Sequence, residues 1–222
     1  MTADRQTVVV WSGGADSTML LTEHAHESSA KTPVRAITVE DHHQLDSKFM
    51  KSQRMARKRY LAWAKKQGYH IDHGSLVISV ESGDAWVQHA AGQYSLWVAH
   101  LAPYLPERCR LLFGYIAVDG FWHMKAEHEA ALGTLQKLVR ADWQIEYPYE
   151  WSKKYEVYRS LEGWKVPHDC WWSCEEPKKV WAPCGKCAKC KERKVGMADL
   201  AAYKADWSRP ISAPKGRRPK KR

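Results

Sequence analysis

The sequence contains no run approaching the ~20 apolar residues that a helix needs to cross a bilayer, which argues against a helical membrane protein. Its first residues, Met1-Thr2-Ala3-Asp4-Arg5, lack the apolar core of a secretory signal, so a soluble, cytoplasmic chain with no membrane partner is expected. A Walker loop of the form Gly-x4-Gly-Lys-Ser/Thr is missing, and Gly-x-Gly-x-x-Gly is missing at the first strand. Two common nucleotide-binding classes are thereby removed. No long linker divides the 222 residues, and 44% apolar composition suffices for a full core. Acidic residues stop at Asp206, whereas Arg209, Lys215, Arg217, Arg218, Lys220, Lys221 and Arg222 follow it. Seven of the ten net positive charges thus sit in a short tail, leaving +3 for the remainder, which is close to an ordinary enzyme surface. With Pro210, Pro214, Gly216 and Pro219 interleaved, residues 208–222 are expected to be disordered, and their attraction to phosphate keeps a nucleic-acid partner open.

What the chain does have begins directly after Val8-Val9-Val10, with Trp11-Ser12-Gly13-Gly14-Ala15-Asp16-Ser17-Thr18 leading into Met19-Leu20-Leu21. This reads as a strand, a glycine turn and a helix start. Adjacent glycines let main-chain amides approach an anion, Ser12, Ser17 and Thr18 add hydroxyls, and the helix presents its positive dipole end. Residues 11–21 are therefore the candidate nucleotide-binding segment, with an ordinary strand-to-helix turn as the alternative. The form Ser-Gly-Gly-x-Asp-Ser is similar to the signature of the N-type ATP pyrophosphatases, which split ATP to AMP and pyrophosphate. Asp16 is a candidate magnesium or ribose contact, or else a cap of the helix start.

Strands are expected over 7–11, 34–39, 76–80, 110–115 and 144–147, and helices over 17–28, 46–67, 92–104, 125–142, 152–161 and 186–204. This alternation predicts an α/β fold, a parallel sheet flanked by helices, with ligands at the carboxyl ends of the strands. The division expected is an ATP pyrophosphatase domain over 1–165, a C-terminal helical metal-binding subdomain over 166–207, and the basic tail. The second helix carries Lys48, Lys51, Arg54, Arg57, Lys58 and Arg59, which read as the solvent face of an amphipathic helix or as a contact for a phosphate-rich partner. The twelve tryptophans read mainly as core, with base stacking as the alternative.

Cys174, Cys184, Cys187 and Cys190 form Cys-x9-Cys-x2-Cys-x2-Cys. Four thiolates at this spacing can close a tetrahedron around one ion, which points to structural zinc, with an iron–sulfur cluster as the alternative. In a reducing compartment such cysteines favour metal over disulfides. Cys109 reads as a packed thiol. Cys170, beside His168 and Asp169, could be activated, but adjacency in sequence does not establish that.

With Ser12-Gly13-Gly14-Ala15-Asp16-Ser17-Thr18 near one end and Trp172-Ser173-Cys174, then Cys184-x2-Cys187-x2-Cys190-Lys191-x-Arg193, near the other, the chain resembles the 7-cyano-7-deazaguanine synthase (QueC) family over roughly residues 7–200. Gly114 with Asp119 resembles the family's Gly-x4-Asp, Glu129 falls at a family glutamate, and Lys154 with Glu156 resembles its Lys-x-Glu. The resemblance implies ATP and magnesium at the N-terminal loop, structural zinc on the four cysteines, a 7-carboxy-7-deazaguanine substrate, ammonia, and a homodimer. Asp16 and Lys154 become the candidate catalytic residues, Lys154 as a contact to a phosphate or substrate oxygen, against a plain solvated lysine. The middle of the chain differs from the family pattern. Glu40-Asp41-His42-His43-Gln44 replaces Tyr-Gly-Gln-x-His, Gly92-Gln93-Tyr94 replaces Gly-Arg-Asn, and Phe121-Trp122-His123-Met124-Lys125-Ala126 replaces Gly-Tyr-Pro-Asp-Cys-Arg. Beside nitrile formation stand two other readings. One is an enzyme that stops at the amide or joins the activated base to another amine; the other is a zinc-containing nucleic-acid-binding or tRNA-modifying protein.

Overall fold

A computed structural model describes residues 5–41, 45–78 and 100–205. Five parallel strands, β1 (Gln6–Val10), β2 (Val34–Asp41), β3 (Ile71–Ile78), β4 (Arg108–Phe113) and β5 (Asp142–Glu146), lie in the order β3-β2-β1-β4-β5. Helices α1 (Ala15–His26), α2 (Lys48–Lys66), α3 (Lys125–Leu138), α4 (Lys154–Gly163) and α5 (Ala188–Ala205) accompany them, with short 3-10 helices at Ala102–Tyr104, Gly120–Met124 and His168–Cys170. β1 is central. Its Val10 pairs with Ile37 of β2 on one side and Phe113 of β4 on the other.

The pleat of β1 explains the two cores. Val9 and Trp11 point to one face, where α1, α2, α4 and α5 contribute Leu20, Tyr60, Val157 and Leu200. Val8 and Val10 point to the other, where they meet Leu111, Leu132 and Trp143. A strand covered on both faces must be apolar at every position, which is why this segment reads as an unbroken valine run. The strand order reverses between β1 and β4, and the crevice beyond their carboxyl ends is where a sheet of this kind accepts ligands.

The expected α/β architecture is present, with several shifted boundaries. β3 begins at Ile71, five residues earlier than the apolar signal, because an edge strand tolerates the exposed Asp72, Gly74 and Ser75. The helix expected to run to 142 stops at Leu138, since Arg140 takes a left-handed φ of 54° and β5 starts two residues later. Of the helix expected over 92–104, residues 92–99 lie outside the described residues, and Ala102–Tyr104 is a single 3-10 turn containing Pro103. α2 is capped by the Ser47 hydroxyl, which accepts from the Met50 N–H at 3.0 Å. The tail, 208–222, also lies outside the described residues.

Candidate nucleotide cleft and cysteine site

The segment between β1 and α1 turns at Gly13, whose φ of 89° suits glycine and strains any other residue. Ser12 Oγ accepts from the Gly14 N–H at 3.2 Å and lies 3.1 Å from Ser17 Oγ, so two hydroxyls brace the turn from inside. Gly14 is the N-cap of α1 and makes no side-chain capping bond. The first amides of α1 therefore keep their hydrogen-bonding capacity for an incoming anion, reinforced by the helix dipole. Gly114, just past β4, packs so closely that a Cβ there would lie 3.0 Å from both Cα and N of Ser17. The loop is thus fixed from below by the neighbouring strand's exit.

It is fixed from behind by an arginine. Arg57 of α2 donates from Nη1 to the Ser12 carbonyl at 2.8 Å, and its Cγ would lie 2.8 Å from a Cβ at position 13. Glu40 at the end of β2 takes Arg57 on one carboxylate oxygen and Arg54 on both. Arg57 and Glu40 are each 3% exposed. Burial pushes the Arg57 guanidinium down to about 10 despite Glu40, and burial of Glu40 is outweighed by both arginines, which hold it below the usual carboxylate range. The basic run of α2 is therefore not simply a solvent face. Arg57 turns inward as a structural support of the loop, and Arg59 lies over the Trp181 ring at 4.3 Å.

A cleft of about 230 Å³ opens beside the loop, at the reversal point between β1 and β4. Its walls include Trp11, Ser12, Gly14, Ala15, Asp16 and Ser17 on one side and Gly114, Tyr115 and Asp119 on another. A chain of charges runs along it. Lys154 Nζ lies 2.7 and 2.9 Å from the two Asp16 oxygens and 3.1 Å from Glu192, while Lys189 Nζ lies 3.1 Å from Glu192 and 3.5 Å from Asp119. Burial raises the Asp16 carboxyl even though Lys154 opposes it. For Lys154 burial works against the charge, yet Asp16 and Glu192 hold the ammonium above its usual range. Gly196 of α5 makes room for this lysine, since a Cβ there would lie 3.0 Å from Lys154 Cγ and 2.9 Å from Tyr158 Cε2.

The four predicted cysteines converge. Their sulfurs all lie within 4.8 Å of one another, with Cys184 to Cys190 at 3.9 Å and Cys187 to Cys174 at 4.0 Å. A tetrahedral ion with metal–sulfur bonds of ~2.3 Å separates its thiolates by about 3.8 Å, so the donor set fits a single ion. The knuckle Cys184-Gly185-Lys186-Cys187 turns its amides inward. Lys186 N–H and Cys187 N–H donate to Cys184 Sγ at 3.4 and 3.2 Å, which pushes that thiol down to about 6 and favours the thiolate a metal requires. Trp172 and Trp181 pack against the site in a tilted pair, centroids 4.9 Å apart.

The metal-site segment also reaches the cleft. Trp172 N–H donates to the Gly13 carbonyl at 2.9 Å, and Trp172, Ser173, Glu175 and Lys189 line the cleft. Among the residues singled out by sequence, Ser12 to Ser17 and Lys154 are gathered here. Thr18 accepts from Trp11 Nε1 at 3.0 Å, while the side chains of Met19, Leu20 and Leu21 turn into the core. Asp16 does not cap α1, because both its oxygens face Lys154; Lys154 is not a solvated lysine, being 8% exposed. Cys170 is buried, and burial pushes its thiol up to about 12, which removes it as an activated nucleophile. Cys109 is likewise buried, up to about 11. Glu129 is exposed on α3. Sequence reasoning missed Glu40, Arg57, Lys189, Glu192 and Gly196. Lys189 carried a signal, its place between two metal ligands; the others are recognisable only once the helices are packed.

Residues 119–201 match the family model described as "Queuosine biosynthesis protein QueC". No curated protein sequence matches the chain. A solved structure, the U34-tRNA thiolase NcsA from Methanococcus maripaludis with its [4Fe-4S] cluster, is similar at 14% identity and a TM-score of 0.47, covering 91% of this chain and 68% of that one. The matched span contains Asp119, Lys154 and all four cysteines, and it packs against the Ser-Gly-Gly loop that precedes it. The chain is thus similar to the QueC family over residues 119–201, the part that carries Lys154 and the four cysteines.

Proposed function

We propose that the protein is an ATP-dependent carbon–nitrogen ligase that adenylates 7-carboxy-7-deazaguanine and converts it, with ammonia, to the amide and then the nitrile. The observation that carries the ATP half is the uncapped start of α1 behind the Gly13–Gly14 turn, facing a cleft at the sheet's reversal point. In the first step a carboxylate oxygen attacks the α-phosphorus of ATP, the bond to the bridging oxygen breaks, and pyrophosphate leaves into the loop. Ammonia then adds to the acyl carbon and AMP departs, with one proton released, leaving the amide. A second ATP adenylates the amide oxygen, and loss of AMP with the remaining N–H protons gives the nitrile. Amides at the start of α1 and the Ser12 and Ser17 hydroxyls would take the pyrophosphate charge as it develops. Asp16 and Asp119, both lining the cleft, suit magnesium, which would offset phosphate charge when bound. Zinc suits the four thiolates, in a closed structural role.

The altered acceptor side supports a second reading. Tyr115 stacks on Phe121 with centroids 3.8 Å apart, so the segment that begins at Phe121, where the family pattern has Gly-Tyr-Pro-Asp-Cys-Arg, is held by an aromatic contact. The activated base could then stop at the amide or pass to another amine. Incubation of the purified protein with the carboxylate, ATP and ammonium, followed by mass spectrometry, separates the outcomes: a nitrile mass supports the first reading, an amide or conjugate the second. Formation of no adenylate-derived product would end both. A nucleic-acid role through the tail predicts that deleting residues 209–222 removes salt-sensitive RNA binding and leaves ATP turnover intact.

A further inference from the structure

The two lysines in the cleft differ in what they have left to give. An ammonium has three N–H donors. Lys154 faces three carboxylate oxygens, two from Asp16 and one from Glu192, at 2.7, 2.9 and 3.1 Å, and its side chain is 9% exposed. Its donors are committed. Lys189 faces one oxygen of Glu192 at 3.1 Å and one of Asp119 at the long distance of 3.5 Å, and its side chain is 35% exposed. It retains donor capacity toward the cleft that it lines.

Placement adds to this. Lys189 sits between Cys187 and Cys190, so two metal ligands anchor its backbone. The same segment is tied to the phosphate loop by the bond from Trp172 N–H to the Gly13 carbonyl. Ser173, next to that bond and lining the cleft, has a buried Oγ without a hydrogen-bond partner. A hydroxyl in this condition marks a wall built to meet a polar ligand. Among the described residues lining the cleft, three carboxylates (Asp16, Asp119, Glu175) stand against two lysines. A polyanion entering this field needs an available ammonium, and Lys154 is already engaged.

We propose that Lys189, and not Lys154, is the ammonium that binds the nucleotide's polyphosphate opposite the Ser12–Ser17 loop, and that Lys154 is a positioning residue holding Asp16 and Glu192. The cysteine segment then supplies the second half of the phosphate site. This rests on the ATP reading above and names a ligand that the loop motif does not contain. When nucleotide binds, the weak contact from Lys189 to Asp119 gives way to a phosphate oxygen, and Asp119 is freed for a divalent cation.

The test is calorimetric titration of the metal-loaded full chain with magnesium–ATP and, separately, with AMP. Lys189→Met is expected to weaken ATP binding on the order of tenfold or more, as loss of a charge-assisted hydrogen bond does, with a smaller effect on AMP. Lys194→Met, an exposed lysine on the same helix, should bind ATP as the parent does. Lys154→Met should chiefly lower the unfolding midpoint, because it leaves Asp16 without its counter-charge. Unchanged ATP affinity in Lys189→Met, or equal losses for ATP and AMP, overturns the proposal. If that variant sheds its metal, Lys189→Arg against Lys189→Gln provides the same comparison: equal ATP affinities overturn it, and affinity kept only with Arg supports it. Failure of the parent protein to bind magnesium–ATP would instead end the ATP reading itself.

Discussion

The backbone N–H of Trp172 donates to the carbonyl of Gly13 at 2.9 Å, joining the segment that holds the metal ligands to the turn that faces the nucleotide cleft. The cysteine site and the candidate nucleotide loop therefore share one mechanical unit. Cys174 follows Trp172 by two residues, and the Trp172 indole N–H bonds the Cys174 carbonyl at 2.7 Å.

Stripping the metal with a chelator is accordingly expected to do two things at once. The unfolding midpoint should fall, since a structural four-thiolate site contributes folding energy on binding its ion. Magnesium–ATP affinity should fall with it, and tryptophan emission should change as the tilted Trp172–Trp181 pair loosens. Titration of ATP into chelated and reloaded protein checks this. Equal affinities would show that the Trp172 bond transmits nothing.

Glu40→Gln is expected to lower stability by about 3 kcal/mol or more, because Arg57 would remain buried without its counter-charge. Urea denaturation measures this. ATP affinity should weaken as well, since Arg57 holds the Ser12 carbonyl. A stable variant with normal affinity would mean that the loop does not depend on this pair.

Gly114→Ala places a methyl 3.0 Å from the Ser17 backbone, and a backbone cannot rotate aside as a side chain can. The start of α1 must shift instead. We expect ATP affinity to fall on the order of tenfold while overpacking costs about 1 to 3 kcal/mol of stability. Calorimetry and denaturation of the same preparation separate the two effects.

Stability should also decline as pH falls from 7 toward 5, in part through His128. Burial holds this imidazole down to about 4 in the folded chain, against 6.5 in the unfolded one. Between those values the unfolded state takes up a proton that the native state does not, so acidification favours unfolding, by about 2 kcal/mol at pH 5. His128→Gln should flatten the dependence of the urea midpoint on pH over this window. An identical slope in the variant would assign the effect to other groups.

Much of the fold was legible in the residues, and the reasons are local. A valine run buried on both faces can only be a central strand, and Ser12 to Ser17 carry their turn chemistry in order. Cys184, Cys187 and Cys190 announce their convergence by spacing alone, because a short turn brings such neighbours together. Arg57 could not be read in the same way. In sequence it is one cation among eight on α2, and only the approach of that helix to Gly13 and Glu40 distinguishes it from Lys58 beside it. Lys154 was visible as a candidate, but its saturation by Asp16 and Glu192 depends on α4 and α5 packing together across Gly196. Edge strand β3 was found late in its span because polar residues at an open edge carry no apolar signal.

Asp16 and Lys154 are 138 residues apart in the chain, and the partner of Gly13 lies further still toward the C-terminus. During synthesis the glycine turn emerges well before the lysine, the tryptophan amide and the cysteines that complete its surroundings. Closing so long a loop is among the slower events of folding. A nascent chain therefore displays the glycine turn well before the cleft beside it can form, and that cleft is complete only in a molecule in which α4 and α5 have docked.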